Sequence, residues 1–136
     1  APDTLILMAN GTQKPIKDVR LGDQVMSVDE NGNLRPNTVT QLFVHDQVES
    51  GFRKYRTLLI NDSLLEVTPE HPIFTTRGTI SAGELRRGDT LISPDGFITI
   101  TSITPGRGLP VVHNLEVSRD HNYFAGGVLV HNKFDP

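Results

Sequence analysis

The chain has 136 residues, a formal net charge of −3 and no cysteine, a length that fits one domain able to close a hydrophobic core. No apolar run is long enough to span a bilayer and no basic stripe points to nucleic acid, so neither a membrane nor a nucleic acid is expected as partner. The missing cysteine excludes disulfides, thiolate metal sites and a cysteine nucleophile within the chain.

In chain order, Leu5-Ile6-Leu7-Met8 is the first apolar run and is strand-sized. A single helical turn over residues 16–20 stops at Gly22-Asp23, and a second over 82–86 stops at Gly88-Asp89. Strand-like runs occupy 25–28, 38–44, 55–60, 64–68, 98–103, 111–118 and 128–131, each bounded by Gly, Pro, Asn or Asp. Ile98-Thr99-Ile100-Thr101 alternates as a half-buried strand does. Helical periodicity never lasts, so the fold class is all-β. The polar connection 46–53 and the Gly-Arg-Gly-centred connection 105–110 are candidate mobile loops.

The chain repeats itself. Residues 18–29 align without gaps on 84–95 with five identities, among them Gly22 with Gly88 and Asp23 with Asp89. Residues 65–74 align on 115–124 with five more, including His71 with His121. The order is the same in both pairs, which predicts a duplicated unit of about residues 11–76 and 78–127 with pseudo-two-fold symmetry.

Val128-Leu129-Val130 is an apolar strand that delivers His131 and Asn132. The side-chain amide nitrogen of an asparagine can attack its own main-chain carbonyl, closing a succinimide and breaking the next peptide bond, here Asn132–Lys133. The amide is a poor nucleophile, so a site must supply orientation, a donor for the oxyanion and a proton for the leaving nitrogen. Thr68-Pro69-Glu70-His71 sets a hydroxyl and an imidazole around one turn, a pair suited to polarising a peptide bond. Ser118-Arg119-Asp120-His121 repeats it. Taken singly, each motif has a plainer reading, a solvated tail or a hydroxyl-capped turn beside a satisfied histidine. The five histidines, His45, His71, His113, His121 and His131, have no compact zinc spacing, and no metal or cofactor is expected.

The ordered set of Asp3-Thr4-Leu5-Ile6-Leu7-Met8, Thr68-x-x-His71, the 115–124 segment and Val-Leu-Val-His-Asn resembles the Hint superfamily, and within it inteins and bacterial intein-like domains. The resemblance implies a horseshoe-like all-β Hint fold spanning 1–132, with 133–136 as downstream flanking sequence. It implies that His71, with Thr68, activates the upstream scissile bond, that His121 and His131 assist, and that Asn132 cyclises. Asn114 falls where many inteins have a catalytic aspartate, and a neutral amide is no carboxylate base. Ala1 stands where inteins carry a Cys or Ser nucleophile, which resembles an intein-like domain with its first cysteine replaced. Lys133 stands in place of the usual Cys, Ser or Thr, and a non-nucleophilic residue after Asn132 resembles the type A bacterial intein-like domains. The expected partners are flanking host segments in cis, the expected state a monomer, and Ala1 and Asn132 are expected to meet in one pocket. Two rival readings remain at this point: a hedgehog-type autoprocessing domain, and a catalytically silent β module that binds a partner or a metal.

Overall fold

A computed structural model describes residues 4–46, 55–62, 64–109 and 111–132. Among them lie the strands β1 (Leu5–Leu7), β2 (Gln13–Pro15), β3 (Gln24–Val28), β4 (Leu34–Asp46), β5 (Leu58–Ile60), β6 (Leu65–Val67) and β7 (Pro72–Thr75). They continue as β8 (Gly78–Ser81), β9 (Thr90–Ser93), β10 (Gly96–Thr99), β11 (Ile103–Pro105), β12 (Val111–Val117), β13 (Asn122–Ala125) and β14 (Val128–His131). Two single 3-10 turns, Ile16–Asp18 and Ala82–Glu84, fall where one helical turn each was expected.

The main sheet runs β10-β9-β7-β14-β13-β1-β2, with β8 paired to β7, and two three-stranded sheets run β11-β5-β6 and β12-β4-β3. β4 is shared lengthwise: residues 34–38 pair with β3 and 39–46 with β12. Pro36 sits in the half with β3 as its ladder partner, where its missing N–H costs the sheet little. β13 and the Val128–Val130 part of β14 are buried at every position. They are interior strands of the sheet, which explains why Val128-Leu129-Val130 reads as a continuous apolar run without alternation. Tyr123, Phe124, Ile6, Ile73 and Leu91 are among the largest fully buried side chains, and the core gathers around these central strands.

Sequence reading and structure differ in three places. The run 98–103 is two strands: Asn61 Oδ1 accepts the Thr101 N–H at 2.7 Å while Asn61 Nδ2 donates to the Thr99 carbonyl at 3.1 Å, and this side chain ends β10 and turns the chain into β11. In the 55–60 run, Tyr55 makes an isolated bridge to Leu109 and the strand begins at Leu58. The Gly-Arg-Gly connection is anchored: Gly106 N–H donates to the Thr57 carbonyl at 2.9 Å and Gly108 N–H to Thr57 Oγ1 at 3.0 Å. A Cβ at Gly106 would collide with that hydroxyl, so glycine is required there. Residues 47–53 of the other candidate loop lie outside the described residues.

The duplication is written in main-chain hydrogen bonds. Asp23 N–H donates to the Arg20 carbonyl at 3.1 Å and Asp89 N–H to that of Arg86 at 3.0 Å. Val39 N–H reaches Asp23 and Ile100 N–H reaches Asp89, both at 2.8 Å. Each aspartate also accepts the N–H three residues before it, Arg20 or Arg86, at 2.9 Å. These demands on Gly22-Asp23 and Gly88-Asp89 are why both residue types recur.

A further recurrence is visible only in the structure. The hairpins β1–β2, β7–β8 and β13–β14 open on the pairs Leu5↔Pro15, Pro72↔Ser81 and Asn122↔His131. Each is closed by the residue after it donating to the residue before it: Ile16 to Thr4 at 2.8 Å, Ala82 to His71 at 2.9 Å, Asn132 to His121 at 2.8 Å. Asn132 is therefore the third copy of a hairpin exit.

Candidate functional site

Thr68 and His71 come from the turn between β6 and β7, closed by the His71 N–H on the Thr68 carbonyl at 3.2 Å. Both are buried, and with Thr4, His113, Asn114 and Tyr123 they line one cavity. Asn114 projects from β12, and its buried Nδ2 makes no hydrogen bond among the described residues. A buried amide donor without a partner is uncommon and costly, so the cavity offers a ready donor to an incoming carbonyl or other acceptor. Burial pushes the Tyr123 phenol up to about 12, opposed by the Leu115 N–H, so it stays a neutral hydroxyl. Burial likewise pushes His113 down, favouring the uncharged ring.

Asn132 is fully buried. Its Oδ1 accepts the Val117 N–H at 3.2 Å and its Nδ2 donates to the Val117 carbonyl at 3.1 Å, so the amide copies one rung of a β-ladder. Nδ2 also faces His121 Nδ1 at 3.3 Å. An amide N–H is donor only, so this contact requires an unprotonated Nδ1 on His121. On the other side, His131 Nδ1 lies 2.7 Å from the Asn132 carbonyl oxygen. That oxygen only accepts, so His131 Nδ1 carries the proton. The two rings thus offer opposite functions to one residue, an acceptor to its amide and a donor to its carbonyl. His131 is steadied by Phe74, its ring centroid 5.7 Å away.

The candidate residues fall into two adjacent groups: Thr68, His71 and Asn114 around the cavity, and His121, His131 and Asn132 beside Val117. The lining of the cavity includes none of the second group, but two strands join them. β12 carries Asn114 and, three residues on, Val117; β14 carries Val130 into the cavity lining and then leads to His131 and Asn132. Three residues of strand span about 10 Å. Ala1 and Lys133 lie outside the described residues. Among the described residues, no group of three or more His, Cys, Asp or Glu is arranged to hold a metal ion.

Sequence reading did not find Val117, whose contribution is main chain and leaves no residue signature. Nor did it find Tyr123, which looks like any apolar strand residue, or the side chains that grip the 118–121 turn. Asp120 accepts two hydrogen bonds from Arg35, Nε at 2.7 Å and Nη2 at 2.6 Å, and one from Asn37 Nδ2 at 2.7 Å. The Arg35 guanidinium holds the Asp120 carboxyl below the usual carboxylate range. The partners are more than eighty residues apart in sequence, which no local pattern reveals.

The chain is similar to several known proteins. Over 79 residues the chain is 38% identical to a probable translation initiation factor IF-2 of Pyrococcus furiosus, covering 57% of the chain and 8% of that protein. Over 112 residues it is 27% identical to the Tiggy-winkle hedgehog protein of Danio rerio, covering 75% and 26%. It therefore spans only a small part of these relatives' lengths. The DnaB intein from Synechocystis sp. PCC 6803 has the same fold, with a TM-score of 0.81 at 23% identity, covering 98% of this chain and 97% of that one. The bacterial intein-like domain from Clostridium thermocellum gives a TM-score of 0.79 at 26% identity, covering 95% and 94%. Residues 5–133 match the family description of the pretoxin HINT domain. With nearly the whole chain matched and its all-β fold shared with inteins, the chain belongs to the pretoxin HINT domain family of the Hint/intein superfamily.

Proposed function

We propose that the chain is a single-turnover autoprocessing domain whose available reaction is cyclisation of Asn132 with cleavage of the Asn132–Lys133 bond. The observation that carries this reading is the pair of imidazoles on Asn132, one placed to accept from its amide and one donating to its carbonyl. His121 Nδ1 takes a proton from Nδ2 as that nitrogen attacks the Asn132 carbonyl carbon. The carbonyl electron pair moves to oxygen, where the His131 Nδ1–H stabilises it. Collapse expels the Lys133 nitrogen, which picks up the proton and leaves as an amine, and a succinimide remains at residue 132. Burial of Asn132 keeps water from competing with the internal amide.

Thr68, His71 and Asn114 are proposed to serve the upstream junction, holding and polarising the peptide bond before the domain. Asn114 acts there as a neutral hydrogen-bond donor rather than a base. With Ala1 at the first position and no cysteine in the chain, the acyl shift that opens splicing has no thiol to start from. This combination, with Lys133 following the asparagine, fits a type A bacterial intein-like domain with its first nucleophile lost. Residues 1–132 form the processing unit and 133–136 belong to the downstream segment. Its partners are host segments in cis, and it acts as a monomer.

The two clips on Val117 must loosen before Nδ2 swings toward the carbonyl, so the resting site favours slow cleavage. Mass spectrometry of the warmed protein should show gradual loss of residues 133–136, leaving a product one water lighter than the free acid. Release at the same rate from Asn132→Ala would mean that a protease makes the cut. No release from the parent after prolonged incubation would overturn the reading.

A further inference from the structure

We infer that Arg35, Asp120 and Asn37 form a positioning clamp for the reactive end, holding the 118–121 turn so that His121 meets Asn132. The inference rests on the autoprocessing reading above. The turn is strained: Arg119 and His121 have φ of 58° and 56°, the left-handed region that side chains with a Cβ avoid. In the related turn at 68–71, neither Pro69 nor His71 adopts it. The second turn was therefore bent away from its repeat, and something must keep it so.

That support comes from β4. Besides the three bonds that Asp120 accepts, its own N–H donates to Asn37 Oδ1 at 2.9 Å. One residue along, Thr38 N–H donates to Ser118 Oγ at 3.0 Å and Ser118 N–H donates to the Thr38 carbonyl at 2.9 Å. On the far side, Asn122 locks the start of β13 to β3, its Oδ1 accepting from Val28 N–H and its Nδ2 donating to the Val28 carbonyl, both at 2.9 Å. Both left-handed residues thus flank a carboxylate gripped bidentately. The payload of the turn is the His121 carbonyl and Nδ1, both of which contact Asn132. A bidentate guanidinium fixes direction as well as distance, which is what a reacting pair needs. Arg35 and Asp120 touch neither Asn132 nor its carbonyl in any hydrogen bond described above; they act through His121.

The test is side-chain amide hydrogen exchange at Asn132 in the full chain, read by NMR, for the parent, Arg35→Ala, Asp120→Asn and Arg35→Lys. Loss of a charge-assisted hydrogen bond should speed exchange at the Asn132 amide about ten-fold or more in the first two. Amides of the distant β9–β10 hairpin should keep their parental rates. Arg35→Lys should recover part of the protection, since it restores charge without the fork. Uniform acceleration throughout the chain would show ordinary destabilisation and overturn the clamp, as would unchanged Asn132 exchange in both variants. Cleavage after Asn132 is followed in the same samples. A parent that never cleaves but shows clamp-dependent exchange defeats the autoprocessing reading alone. A parent that cleaves, with both variants cleaving equally fast, defeats the clamp alone.

Discussion

Replacing Asn132 with alanine removes the amide proposed to cyclise, and the structure says that it does more. The amide occupies both the N–H and the carbonyl of Val117, a residue that is completely buried. Alanine leaves those two main-chain groups without their partner. An orphaned buried group costs about 1–3 kcal/mol, so the pair costs roughly 2–6 kcal/mol, at the lower end where water enters the vacated space. For a domain of this size each kcal/mol moves the melting temperature by about 3–5 °C, which predicts a fall of about 10 °C. Calorimetry or a urea titration on parent and variant measures it directly, and the Val117 amide should lose hydrogen-exchange protection at the same time. A variant melting within about 2 °C of the parent, with Val117 still protected, would show that the amide is not a rung of the fold, and the account of its resting geometry would fail.

Gly126 has φ of 60° and a Cβ there would lie 2.9 Å from the Leu64 carbonyl oxygen, so Gly126→Ala should destabilise by about 1–3 kcal/mol in urea unfolding. Asp23, Asp89 and Asp120 are held below the ordinary aspartate value of 3.8, chiefly by the Arg20 N–H, by Arg77 and by Arg35 respectively. Groups depressed in the folded state stabilise it above their unfolded value and lose that contribution as pH falls through the folded one. Stability from these three should therefore be flat at neutral pH and fall away below 3.8, and Asp89→Asn should flatten that acid limb; an unchanged limb would refute the assignment. Tyr123 should not ionise in the folded protein until about pH 12, so an absorbance titration of the folded protein in which Tyr123 ionises near pH 10 would contradict its burial. His131→Ala should slow cleavage at Asn132 by about 10²-fold, the low end for a positioned acid or base; a smaller than two-fold change by mass spectrometry would remove it from the mechanism.

Much of this was legible in the residues because the demanding positions are local. Gly22-Asp23 and Gly88-Asp89 need their residue types for a tight turn and a side chain that bonds back to the main chain, so the duplication survives as identities. The His-Asn pair after an apolar strand stands out for the same reason, and the structure buries Asn132 between the two rings, His121 and His131. The third hairpin left no such mark: Leu5–Pro15 shares with the other two only a main-chain bond, which any residue supplies. The break at 100–102 was hidden because the alternation continues through it and the side chain that makes the turn, Asn61, lies about forty residues away. Arg35 and Asp120 were missed on the same ground, since a charge pair across two strands is a property of the register, not of either segment.

The three hairpin exits also bear on what the domain asks of its surroundings. After Ile16 and after Ala82 the chain leaves the closing hydrogen bond and runs on into dozens of further residues, which the sheet accepts without adjustment. Residue 132 departs through the same kind of doorway. That closing bond uses main chain alone, so the hydrogen bonding of the hairpin makes no demand on the side chains of the segment that follows residue 132.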